Sequence, residues 1–133
     1  MTNRQRILCI DGDEDFRQAV SGRLTAEGFA VTAAASKAGG LAAVASASFD
    51  LILLDMLLAE QDGLATYQAL RAHPTMRHAP IILCTPMAAA DYWEALPYDT
   101  DGPCFMMGRS DDPGLLLARI TQLLAQGIIT WQD

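Results

Sequence analysis

At 133 residues, 51% of them hydrophobic, the chain is long enough to bury a core and too apolar to be a disordered segment. A formal net charge of −7 argues against unaided binding to nucleic acid or anionic lipid, since both call for a basic patch. No apolar run approaches the roughly 18 residues of a membrane span, and the N-terminus leads directly into a short strand. The expectation is one cytoplasmic domain over residues 1–133, with its core at about 6–127.

In chain order, Arg6 to Ile10 reads as a short strand ending in Asp11. Asp13 or Asp15 can cap the helix that follows. Phe16, Val20 and Leu24 share one face of it, with Arg17 and Arg23 elsewhere, and Gly28 closes it. Phe29 to Ala33 is a second strand. Ser36 opens a small-residue helix through Leu41 and Val44, which Gly39 and Gly40 are expected to weaken. Leu51 to Leu54 is an unbroken apolar run ending in Asp55, the pattern of a central parallel strand buried on both faces.

Asp62 is placed to cap a helix carrying Leu64, Tyr67 and Leu70, which stops before His73 and Pro74. Pro80 to Thr85 is a fourth strand. A short fourth helix from Ala88 to Leu96 carries Tyr92 and Trp93. Two aromatics side by side on a helix cannot both face the core, so at least one is expected to mark a partner or dimer contact. Cys104 to Met107 is a fifth strand. Asp112 and Pro113 open the last helix, with Leu116, Ile120, Leu123 and Leu124 as its buried stripe and Gly127 at its end. Five strands alternating with five helices demand an α/β fold, a doubly wound parallel sheet with right-handed crossovers.

In such a sheet the C-terminal ends of the first, third and fourth strands lie at one edge, where open α/β sheets place their chemistry. That edge gathers Asp11, Asp55 and Thr85. Either acid alone is more simply a cap or a strand end. Two strand-terminal acids and a strand-terminal threonine in one series suit a hard cation such as Mg²⁺, and with it phosphoryl transfer. Cys9, Cys84 and Cys104 lie in apolar segments without ligand spacing and read as buried, reduced and space-filling. His73 and His78 read as solvated loop residues.

Three segments carry a family resemblance along essentially the whole chain. Ile7 to Phe16, with Asp11 and its acidic turn, Asp50 to Gly63, with Asp55 followed by Asp62-Gly63, and Pro80 to Thr85 resemble the receiver domain of bacterial response regulators. The resemblance implies a flavodoxin-like fold with strand order 2-1-3-4-5. It also implies that Asp55 accepts a phosphoryl group from a sensor histidine kinase or a phosphotransfer protein. Asp11, Asp55 and the backbone carbonyl of Leu57 become Mg²⁺ ligands, Thr85 a donor to the phosphoryl group, and Phe105 the switch aromatic. The reporting surface is the fourth helix, fifth strand and fifth helix, facing a downstream protein partner or a second copy. Leu57 and Met87 fall where the family tunes phosphoryl lifetime, and both are apolar. No enzymatic activity, no direct nucleic-acid contact and no membrane contact are implied.

Three positions depart from the family pattern. The second of two adjacent acids after the first strand is Gly12, which weakens Mg²⁺ binding. Pro86 follows Thr85 and has no N–H to lend. A lysine followed by proline normally ends the fifth strand, whereas here Met106-Met-Gly-Arg-Ser110 stands there. The only lysine, Lys37, follows the second strand on the far side, leaving Arg109, through a one-residue slip, as the substitute. Each lost contact to a charged group is worth about 1.5–3 kcal/mol. The two readings are therefore a phosphorylated receiver and, as the alternative, a phosphorylation-independent pseudo-receiver acting as an interaction module. A cofactor-binding or hydrolytic enzyme is disfavoured, because no glycine-rich phosphate loop and no nucleophile–base pair is present.

Overall fold

The computed structural model describes residues 5–55, 63–77, 79–85, 104–108 and 113–125. Five parallel strands, β1 (Arg6–Ile10), β2 (Ala30–Ala34), β3 (Leu51–Asp55), β4 (Ile81–Thr85) and β5 (Cys104–Gly108), form one sheet. Their order is β2-β1-β3-β4-β5, as the resemblance implied. The helices described are α1 (Glu14–Ala26), α2 (Lys37–Ser46), α3 (Gly63–Ala72) and the last helix, α4 (Pro113–Ala125). The helix expected from Ala88 to Leu96, with Tyr92 and Trp93, lies outside the described residues, as do Asp62, His78, Asp112 and Gly127.

The strands form where the apolar runs are, with edges displaced by a residue. β2 and β4 each start one residue later than expected, β3 takes in Asp55, and β5 takes in Gly108. Every residue of β3 is buried, because it is sandwiched between β1 and β4 and covered on both faces. The two-residue period of a strand sends Ile52 and Leu54 to the face covered by α2 and α3. Leu51 and Leu53 go to the opposite face, with Val20 and Leu24 of α1 and Leu116 and Ile120 of α4. Burying each such side chain contributes about 1.5–3 kcal/mol, so this double-sided packing outweighs local propensity.

α1 is capped at both ends by its own sequence. Asp13 accepts the N–H groups of Asp15 at 2.9 Å and Phe16 at 3.3 Å. At the other end the N–H of Phe29 reaches the carbonyl of Leu24 and that of Gly28 reaches Thr25, the paired bonds of a Schellman motif. Gly28 sits at φ 96°, the left-handed conformation this motif asks of its glycine.

Two expectations are corrected. Gly39 and Gly40 are more than a weak spot in α2. A Cβ on Gly40 would stand 2.5 Å from Cδ1 of Ile10, and one on Gly39 would stand 3.3 Å from Cβ of Ala34. The glycines let the helix settle on β1 and β2, and close packing outweighs the helix-propensity penalty. His73 is half-buried rather than a freely solvated loop residue: its Nδ1 accepts the N–H of Thr75 and caps the 3-10 turn Pro74–Met76. Cys9 and Cys84 are buried and reduced, as expected.

Candidate functional site

The site grows from the register of the central strands. Ile10 pairs with Leu54 across β1 and β3, so the next residues, Asp11 and Asp55, stand side by side on adjacent strands. Neighbouring strands are about 4.8 Å apart, close enough for two carboxylates to share one cation. Alternation puts both acids on the α1 side of the sheet, in line with Cys9 and Leu53. Each is nearly buried, Asp11 at 1% and Asp55 at 4% exposure. Two carboxylates withdrawn from water this close together need compensation, which a bound cation and hydrogen-bond donors supply.

Asp11 is held on three sides. Its N–H donates to the carbonyl of Ala34 at 3.0 Å, which ties the end of β1 to β2. Its Oδ1 accepts the N–H of Asp13 at 2.8 Å, and its own carbonyl accepts Nη1 of Arg17 at 2.7 Å. Asp13 is turned to the cap of α1 and does not stand in for the acid missing at Gly12. A Cβ on Gly12 would meet nothing within 4 Å, so the place of the second acid is open space.

The register carries the edge outward. Asp55 pairs with Cys84, and Thr85, one residue further on, pairs with Gly108 of β5. Thr85 and Phe105 therefore lie on the strands that the sequence assigned them. The residue opposite Thr85 is a glycine, so this register position offers no ammonium group. Lys37 begins α2, which packs on the face opposite the one carrying the two acids. Leu57, Pro86, Met87 and Arg109 lie outside the described residues.

The family model for the response regulator receiver domain matches residues 7–101. The chain belongs to that family. Among curated relatives, the receiver is 30% identical over 128 residues to the transcriptional regulatory protein GltR of Pseudomonas aeruginosa, covering 96% of this chain and 52% of GltR. It is 31% identical over 119 residues to the response regulator PleD of Caulobacter vibrioides, covering 89% of this chain and 26% of PleD. The chain thus spans about half of the first relative's length and a quarter of the second's. The fold is that of the chemotaxis response regulator CheY4 of Vibrio cholerae, with a TM-score of 0.76 at 24% identity over 92% of this chain and 100% of that one. The response regulator TrrA of Thermotoga maritima, solved in complex with Mg²⁺-BeF, superposes with a TM-score of 0.72 at 26% identity over 90% of this chain and 99% of that one.

Membership makes the chain a phosphorelay signal-reception module, favoured over the phosphorylation-independent reading. Receiver domains bind Mg²⁺ at the phosphorylation site and meet kinases or phosphotransfer proteins and downstream effectors. The donors here suit that ion: two adjacent carboxylates offer the oxygen ligands it prefers, and Gly12 leaves room for water where the second acid would stand. Among the described residues no helix is long and apolar enough to cross a membrane. Sequence reasoning passed over Arg17. Its one signal was a position a single turn after the Asp13 cap, on the helix that faces Asp11.

Proposed function

We propose that Asp55 is the phosphoryl acceptor, and that the chain relays a signal from a sensor histidine kinase or phosphotransfer protein. The observation that carries this reading is the Ile10–Leu54 pair, which sets the next residues, Asp11 and Asp55, side by side and both buried at the C-terminal edge of the sheet. In the transfer an Asp55 carboxylate oxygen attacks the phosphorus of a phosphohistidine. The P–O bond forms as the P–N bond breaks, and the electron pair returns to the imidazole, which takes up a proton. Mg²⁺, when bound, offsets charge on the equatorial oxygens of the transferring group. Asp11 and Asp55 would hold it through their carboxylates, and the carbonyl of Leu57 would serve as a further ligand. The Mg²⁺-BeF complex of TrrA supports this assignment by likeness.

Thr85 donates its hydroxyl to the phosphoryl group and Phe105 follows that contact. The signal leaves by the surface of the helix expected from Ala88 to Leu96, β5 and the last helix, α4, toward a downstream protein or a second copy. The domain works in the cytoplasm as a signalling module without an enzymatic step of its own, and Arg109 is the candidate to serve in place of the lysine.

Intact-mass measurement after incubation with a small-molecule phosphodonor and Mg²⁺ tests the reading. A phosphoryl adduct on wild type that is absent from Asp55→Asn is the expected result. A folded wild type that gains no adduct overturns it and returns the chain to the pseudo-receiver reading.

A further inference from the structure

The structure assigns Arg17 to the acidic site as its positioning residue, an inference that rests on Asp11 and Asp55 holding Mg²⁺. Arg17 lies one turn into α1, half-buried, and its backbone N–H is fixed to the carbonyl of Asp13 at 3.0 Å. From there Nη1 crosses the turn and donates to the carbonyl of Asp11 at 2.7 Å, a short charge-assisted bond. The residue it spans is Gly12, which has the widest backbone freedom of any residue, and no atom within 4 Å would meet a side chain there. Packing at that position therefore cannot hold the turn. The guanidinium does so instead, fixing the peptide that leads out of Asp11 while Asp13 fixes the carboxylate.

Two effects of Arg17 on a divalent cation oppose each other. Its charge repels the ion, and its tether keeps the Asp11 carboxylate in place to receive it. Arg17 is half-buried and the neighbouring Gly12 is exposed, so solvent screens part of that repulsion. Partners that orient a metal ligand are worth about tenfold or more in affinity, so the tether dominates.

Mg²⁺ titration of the full chain by calorimetry, with the amide NMR shifts of residues 11 to 13 followed in parallel, tests this without any phosphodonor. Arg17→Met keeps the apolar stem and loses the donor; it is expected to bind Mg²⁺ about tenfold more weakly. Arg17→Lys keeps a donor of similar reach and is expected to restore most of the affinity. Arg17→Gln, too short for the same bond, carries the comparison should the methionine variant not fold. Equal affinity in wild type and the donor-less variants, with only a lower melting temperature, would make Arg17 a purely structural residue and overturn the inference. Tighter binding in those variants would show that repulsion wins and overturn it too. No Mg²⁺ binding by wild type would remove the acidic-site reading itself, and the inference with it.

Discussion

The N–H of Asp13 donates to Oδ1 of Asp11 while the carboxylate of Asp13 turns away onto the first N–H groups of α1. One residue thus orients the first acid of the site without joining it. Asp13→Ala is expected to cost about 1 kcal/mol of stability through the lost cap, measured by denaturant unfolding. The N–H to Asp11 survives that change, so Mg²⁺ affinity is expected to move little.

Gly12 invites the opposite experiment. Its Cβ position is open and its backbone is outside the left-handed region, so an acid fits without strain. Gly12→Asp is expected to tighten Mg²⁺ binding about tenfold, from one added contact between charged groups. Calorimetric titration beside wild type measures it. An unchanged affinity would mean that the carboxylate points to solvent.

The register of β4 and β5 makes Gly108 the residue level with Thr85. Gly108→Lys places an ammonium group at that level. The expected outcome is an increase of about tenfold in the rate of phosphoryl uptake from a small-molecule donor, followed by intact mass. No increase would show that Arg109 already supplies the cation or that none is needed.

Two glycines separate packing from propensity. Gly22 lies in the exposed middle of α1 with nothing within 4 Å of a Cβ, and Gly22→Ala is expected to stabilise by about 1 kcal/mol. Gly40→Ala gains the same propensity but drives its Cβ against the buried Ile10. Overpacking costs about 1–3 kcal/mol, so this substitution is expected to be neutral at best and otherwise destabilising. Thermal unfolding of the two variants side by side reads the difference.

Arg71 binds the hydroxyl of Tyr67 and the carbonyls of Met76, Arg77 and Ala79, joining α3 to the segment that leads into β4. Its guanidinium also lies 5.3 Å from the centre of the Tyr67 ring, which is fully buried. Arg71→Ala is expected to cost about 2–3 kcal/mol, because several acceptors lose one donor together. Arg71→Lys is expected to recover only part of it, since an ammonium lacks the planar fork. Unfolding free energies of the three proteins check this.

By itself the sequence determined the sheet, the helices around it and the identity of the acids. The run from Leu51 to Leu54 reads as a doubly buried strand, and Asp13, Ser36 and Gly28 announce helix ends through chemistry local to a few residues. The family resemblance rests on the same local pattern, and Gly12 and the missing lysine are legible as plain absences. What only the tertiary structure decided lies between segments distant in the chain. Gly40 looked like a weak point in a helix until Ile10 appeared beneath it. Arg17 was only a residue off the apolar face of its helix until its guanidinium reached the carbonyl of Asp11. Gly108 became the residue level with Thr85 only when β5 paired with β4. Local propensity reads the order of residues along one element, whereas a close approach, a tether or a register is set when packing brings two elements together.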